Sequence, residues 1–388
     1  MKKQLFTIFL LSSLVACSNN GASNASSGEP TSSEPSPITI RIKPLPSVVE
    51  IHSDLVKDYF NQENYDYKDM NAFINAKTDQ GDNLPIEFTW EAENLPLDSN
   101  ITYSININDG SNSYTVYSSD MKIDFINYKL NTTYTLTVSA YKDGSNIGLP
   151  ATYTFNTPDG YLRTITIDGV TNFRDLGDGK KLKQGMIYRS ATLTNNTSAN
   201  ETNPISITEK GKEELNNLGI KTRIDLRKDD EKKEGEPQVV SKQIVSEPLH
   251  YGGQNILTYK NSEYDNPEKI KNIFNLLADE TNYPLDIHCV RGTDRTGCIA
   301  YLVKGLLGID EEMLYRDFLF SNFYNIGSPV KLESIYYATN PNATTKYVNV
   351  IHQAEGETLK DKIYNYLSSD KIGVSTGNLD KIINLLKA

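Results

Sequence analysis

The chain has 388 residues, 38% of them hydrophobic, and a formal net charge of −11 at pH 7. Its Lys and Arg residues are spread rather than clustered, so nucleic acid is not an expected partner. Three cysteines (Cys17, Cys289, Cys298) and four scattered histidines (His52, His250, His288, His352) form neither a disulfide framework nor a metal-ligand spacing, and no cofactor is expected.

At the start of the chain, Lys2-Lys3 precede an apolar run from Leu5 to Leu14, followed by Leu14-Val15-Ala16-Cys17. The run is about 12 residues, short of the roughly 20 that a membrane-spanning helix needs. The pattern resembles a bacterial lipoprotein signal, residues 1–17, with cleavage before Cys17. That resemblance implies a lipid on Cys17 and a chain tethered to the outer face of the cell membrane. Residues 18–37, rich in Ser, Asn, Gly, Glu and Pro, read as a flexible linker. About 350 residues remain, more than a single core usually takes, so two domains are expected: 38–157 and 158–388.

Within the first, short alternating runs predict strands at 86–90, 103–107, 114–117, 134–138 and 151–155, separated by turns at Asp109-Gly110 and Asp143-Gly144. This spacing predicts a small all-β sandwich with Trp90 in its core. The stretch Leu130-Asn131-Thr132-Thr133-Tyr134 resembles the corner of fibronectin type III or immunoglobulin-like modules, which implies a binding role for an unknown ligand. The lead-in, 38–84, mixes apolar and charged residues and is left between helix and irregular structure.

The second part alternates strands with helices near 208–218, 267–280, 297–307, 310–320, 357–368 and 376–387, which predicts an α/β domain. Residues 191–205 are polar and read as a surface loop. The aromatic-rich segment 323–353, with Tyr336, Tyr337 and Tyr347, breaks the alternation. It is either a rim or lid for a substrate or a plain insertion packed on the body.

The most informative stretch is His288-Cys289-Val290-Arg291-Gly292-Thr293-Asp294-Arg295-Thr296-Gly297. A buried strand should precede it, and apolar residues at helical spacing follow it from Ile299 to Leu307. The stretch is then a loop at a helix N-terminus, where backbone N–H groups from Val290 to Arg295 converge on an anion and the helix field favours a thiolate at Cys289. Arg295, six residues after Cys289, can hold two phosphoryl oxygens, best in the transition state. Gly292 lets the loop turn without a Cβ against the bound phosphate. Thr296 offers a hydroxyl to the departing sulfur, and Asp294 a carboxyl to protonate the leaving oxygen and then activate water. These roles point to phosphate-ester hydrolysis.

This pattern, Cys-x5-Arg-Thr with a leading His, resembles the cysteine-dependent protein-tyrosine phosphatases. Three earlier segments look like successive signatures of the bacterial tyrosine/lipid phosphatase family: Asn172-Phe173-Arg174-Asp175-Leu176-Gly177, Ile187-Tyr188-Arg189-Ser190-Ala191, and Gly219 through Arg227. The resemblance spans about residues 160–388 and implies a mixed sheet flanked by helices. It also implies Cys289 as nucleophile, Asp294 as general acid and Arg295 as phosphate ligand. The substrate implied is a phosphorylated protein or small phosphomonoester. Members of that family carry lysine where this chain has Thr293, a residue linked to multiply phosphorylated headgroups, so phosphotyrosine is preferred over phosphoinositides; Arg291 supplies another cation.

Plainer readings stand beside these. Asp294 can be a carboxylate that only braces Arg295. Arg174 and Asp175 either fix the first strand pair against the loop or, for Asp175, provide a competing acid. Asp225 and Arg227 read as bracing, His288 as a hydrogen-bond partner of the loop, and Cys298 as a core residue or a reversible partner of Cys289. A different class of function is a surface binding lipoprotein whose phosphatase domain is vestigial.

Overall fold

The computed structural model describes residues 5–7, 38–64, 66–73, 80–95, 100–160, 162–194, 206–232, 240, 242–251 and 255–388. Cys17 and the linker 18–37 lie outside the described residues. The chain forms two compact units: Met1–Glu50 with Pro85–Ile126 and Asn131–Pro158, and Ile51–Leu84 with Asn127–Leu130 and Asp159–Ala388.

The first unit is strand-rich. One sheet has the order β1 (Leu5–Thr7), β6 (Lys122–Ile126), β3 (Ile86–Glu93), β2 (Thr39–Ile42). The other runs β5 (Ser113–Ser118), β4 (Ile101–Asn108), β7 (Thr133–Lys142), β8 (Ser145–Asn146), with β9 (Ala151–Asn156) also on β7. The five strands expected from alternation are all present, because each places its apolar residues at every second position on a buried face: Ile86, Phe88 and Trp90 in β3, and Tyr103, Ile105 and Ile107 in β4. Phe88 meets Phe155 with ring centroids 5.3 Å apart, and Trp90 meets Tyr103 at the same spacing. The β7–β8 hairpin turns on Asp143-Gly144 at φ 50° and 79°, the two left-handed positions that the right-handed strand twist demands. Strands β2 and β6 were not foreseen, since Ile123-Asp124-Phe125-Ile126 is buried at every position and shows no alternation.

The second unit is α/β. Its sheet has the order β10 (Arg174–Asp175), β11 (Ile187–Ser190), β14 (Leu285–His288), β12 (Thr222–Asp225), β13 (Gln243–Ser246), antiparallel only between β10 and β11. The helices are α1 (Asp54–Asn61), α2 (Glu209–Asn217), α3 (Asn266–Leu277), α4 (Asp294–Leu306), α5 (Glu311–Phe320), α6 (Tyr347–His352), α7 (Leu359–Ser368) and α8 (Thr376–Leu386). The six helices expected from apolar spacing lie where the periodicity put them. Most begin on a side-chain cap: Thr208, Asp265, Thr358 and Ser375 accept from the first turns of α2, α3, α7 and α8. Helix α4 is buried from Arg295 to Leu306, so it is the central helix of the core rather than an amphipathic cover.

Part of the lead-in belongs to this second unit by its bonding. Tyr59 on α1 donates its hydroxyl to the Arg316 carbonyl (2.9 Å), and the Arg316 guanidinium returns a bond to the Tyr59 carbonyl (2.7 Å). The same guanidinium lies 4.0 Å from the Tyr67 ring centroid. No described helix is long and apolar enough to cross a membrane.

Candidate active site

Central strand β14 is buried at all four positions and pairs in parallel with β11 and β12, with His288 in register with Ser190 and Asp225. The chain therefore leaves the carboxyl edge of the parallel sheet at Cys289 and enters α4 at Asp294, the edge at which open α/β sheets bind ligands. Between them, three successive carbonyls are claimed from outside the loop. Val290 O accepts from the Thr192 N–H (3.0 Å), Arg291 O from Asn172 Nδ2 (2.9 Å), and Gly292 O from the Arg189 guanidinium (2.6 Å). Each peptide N–H points opposite its carbonyl, so the N–H groups of Arg291, Gly292 and Thr293 face the loop centre, and none has an acceptor among the described residues. Gly292 has φ 71°, and a Cβ there would sit 2.6 Å from the Ser190 carbonyl oxygen. The glycine is required by its packing against β11 as well as by its backbone angle.

Cys289 is 3% exposed and unbonded, as is the fully buried Cys298, whose thiol is pushed far up by burial. Arg295 is held from one side: its guanidinium donates to the Leu226 carbonyl (3.1 Å) and to both oxygens of Glu231 (2.5 and 3.0 Å). Its Nε is buried with no hydrogen-bond partner. A donor buried without an acceptor costs about 1–3 kcal/mol, so the Nε–H is a prepared seat for an anion oxygen. Burial works against the Arg295 charge, but the nearby Cys289, Glu231 and Asp294 outweigh it and raise its pKa.

Below the loop, three cations share one carboxylate. Asp317 accepts from Arg174 (2.8 Å) and Lys304 (3.0 Å) and lies 3.5 Å from Arg189, with all four side chains buried. Burial pushes the Asp317 carboxyl up, yet Lys304, Arg174 and Arg189 overcome it and hold it far below the usual range. The Arg189 pKa is lowered to about 10 by its own burial and then by Arg174. The cluster is thus left with an uncompensated positive charge that favours an anion in the loop it supports. Arg174 also donates to Asn172 Oδ1, so Asn172, at φ 58°, transmits its position to the Arg291 carbonyl.

The remaining expected residues fall into two groups. Asp294, at the first position of α4, accepts from the Thr293 hydroxyl (3.1 Å). It lines a cavity of about 290 Å³ with Arg291, Tyr251, Ile256 and, from the 323–353 segment, Pro329, Val330, Ser334, Ile335, Lys346 and Tyr347. That segment is a wall of the cavity. The Thr296 hydroxyl is buried without a partner. Asp175, by contrast, spends its carboxylate on Arg163 (2.7 Å) and on the Gly177 and Gly185 N–H groups. Asp225 and Arg227 pair with each other (2.8 Å), and His288 lies 3.6 Å from Asp225, its pKa driven well below the ordinary value by burial.

Sequence reasoning missed Glu231, which sits in the charged run Lys228-Asp229-Asp230-Glu231-Lys232 and looks like a solvated turn. Its signal was distance-dependent only. Tyr251, whose ring centroid lies 5.4 Å from the Arg295 guanidinium, and Asp317 were also not singled out.

The profile of the tyrosine phosphatase family matches residues 165–382. Among solved structures, P. aeruginosa TpbA in complex with phosphotyrosine is 22% identical, covering 36% of this chain and 70% of that chain with a TM-score of 0.24. The core catalytic domain of the S. cerevisiae PP-IP phosphatase SIW14, in complex with citrate, is 15% identical, covering 41% of this chain and 79% of that chain with a TM-score of 0.26. No curated protein matches the sequence.

Proposed function

The chain belongs to the tyrosine phosphatase family, and from that premise we propose that it hydrolyses phosphate monoesters, with phosphotyrosine in proteins preferred, through a phosphocysteine intermediate. The observation that carries this reading is the set of inward N–H groups and the free Arg295 Nε gathered around Cys289. In the first step the Cys289 sulfur attacks phosphorus while Asp294 gives its proton to the leaving phenolate oxygen. In the second, Asp294 takes a proton from water, whose oxygen attacks phosphorus and expels the thiolate as inorganic phosphate forms. The loop N–H groups and Arg295 hold the three equatorial oxygens, better in the trigonal-bipyramidal arrangement than in the ground state.

The preference for an aryl ester rests on the cavity beside Asp294, whose Tyr251, Ile256, Ile335 and Tyr347 walls suit a ring. Thr293 where the family has lysine points the same way, against multiply phosphorylated headgroups. The test is metal-independent hydrolysis of a nitrophenyl phosphate by the purified protein under reducing conditions, with Cys289→Ser as control. Turnover that the substitution abolishes supports the reading, and an absence of turnover overturns it in favour of a binding lipoprotein. A comparison of phosphotyrosine, phosphoserine and phosphoinositide substrates settles the preference.

The same reading puts the enzyme at the outer face of the cell membrane, on a lipid at Cys17 and the 18–37 linker. The strand-rich unit, without β1, which lies in the part cleaved off before Cys17, then serves as a fibronectin III or immunoglobulin-like sandwich for ligand recognition. Cys17→Ser should move the protein from the membrane fraction to the soluble one.

A further inference from the structure

Two cations line the cavity beside Asp294 with no acidic partner among the described residues. The Arg291 guanidinium donates to the Ser328 hydroxyl (2.6 Å), and Lys346 Nζ donates to the Ser334 carbonyl (3.1 Å) while lying 4.8 Å from the Tyr337 ring centroid. Neither stands within 4.0 Å of a carboxylate among the described residues, although the chain is acidic and most of its buried cations are paired. The one carboxylate among the described residues lining this cavity is Asp294, which proton transfer needs. A pair of cations with neutral partners only, on the walls of a cavity next to an anion cradle, has its charge complement still to come.

We propose that this cavity, besides the phosphotyrosine ring, receives a second acidic group on the substrate, namely an Asp or Glu side chain close to the phosphotyrosine in a polypeptide, and that Lys346 is the residue that selects for it. The proposal rests on the reading of the protein as a tyrosine phosphatase. Two features favour a polypeptide over a polyol phosphate. Beside its charged and polar groups the cavity has aromatic and aliphatic walls at Tyr251, Ile256, Ile335 and Tyr347. Beyond the shared wall of Pro329 and Val330 lies a second cavity, about 460 Å³, whose lining mixes Met70, Leu332 and Tyr336 with the charged Lys68, Asp69, Lys331 and Glu333, which gives the chain flanking the phosphotyrosine a place to run.

The experiment compares kcat/KM of the purified full chain on two phosphotyrosine peptides, one flanked by Glu and one by Ala, and on nitrophenyl phosphate, which has no second acidic group. The wild type should favour the Glu-flanked peptide about fivefold, the scale of a half-exposed ion pair, and added salt should erode that preference. Lys346→Gln should abolish the preference through KM, with a larger loss on the Glu-flanked peptide than on the Ala-flanked peptide or nitrophenyl phosphate, whereas Lys346→Arg should keep it. Equal use of both peptides by the wild type overturns the proposal. So does an equal loss on nitrophenyl phosphate in Lys346→Gln, which marks a structural role, or an effect of that substitution confined to inositol polyphosphates. These outcomes leave the phosphatase reading intact; failure of the wild type on every substrate overturns both.

Discussion

The nucleophile loop and the 323–353 segment border the same cavity, and they are held in place by different physics. Every outward carbonyl of the loop is gripped by a buried group, two of them through the Arg174, Arg189 and Asp317 cluster. The 323–353 segment is held largely by neutral amide clamps: Asn322 brackets Val330 through both its N–H (2.7 Å) and its carbonyl (3.0 Å), and Asn349 does the same for Tyr337 (2.8 and 3.0 Å), with a contact from His352 to the Glu311 carboxylate (2.7 Å) near its end. Charge fixes the part that must meet a transition state to within fractions of an ångström. Amide hydrogen bonds hold the part that meets a variable substrate. Chemistry and selectivity should therefore respond to separate substitutions.

After loss of the nucleophile itself, the largest effect is expected at the acid. Asp294→Asn should lower kcat by about 10²–10⁴-fold, the usual contribution of a positioned general acid, with a smaller loss for nitrophenyl phosphate because its leaving group needs less protonation. A uniform loss across leaving groups would instead mark Asp294 as a brace for Arg295.

Asp317→Asn should come next, as a stability effect. Removing this carboxylate strands three buried cations and should cost about 3–5 kcal/mol in chemical denaturation. Its folded pKa is held below the unfolded value, so its contribution is present above the ordinary carboxylate pKa and is lost as pH falls through the folded value. The variant should accordingly show a flatter acid limb than the wild type. An unchanged limb would show that the cluster does not hold the loop as described.

Gly292→Ala should cost about 1–3 kcal/mol through its left-handed φ and the Ser190 carbonyl, with kcat reduced because the cradle is displaced. The smallest effect belongs to the other side of the comparison. Asn349→Ala should destabilise the protein by about 1–2 kcal/mol and raise KM for peptides, while kcat for nitrophenyl phosphate stays within about twofold. If it lowered that kcat as strongly as Gly292→Ala, the division between chemistry and selectivity would fail.

The same division explains what could be read from the chain. The loop residues are contiguous in sequence, and their spacing is dictated by one strand-to-helix turn, so Cys289, Gly292, Asp294 and Arg295 were legible together. The alternating strands and amphipathic helices were legible for the same reason, since each is a local period. Glu231 and Asp317 were not, because nothing local distinguishes a glutamate that grips Arg295 from one facing water. The shape of 323–353 was hidden too: its Asn322 and Asn349 clamps act through the backbone of distant residues and leave no periodicity. Asp175 was ambiguous in sequence and is resolved by a residue twelve positions upstream, Arg163, which takes its carboxylate.

The central claim is that catalysis passes through a phosphoryl group on Cys289. Acid quenching within the first turnover of an aryl phosphate, followed by peptide mass spectrometry, tests it most directly. A phosphoryl adduct is expected on the peptide bearing Cys289, absent from Cys289→Ser. Turnover at the wild-type rate in Cys289→Ser, or an adduct on another residue, would contradict it.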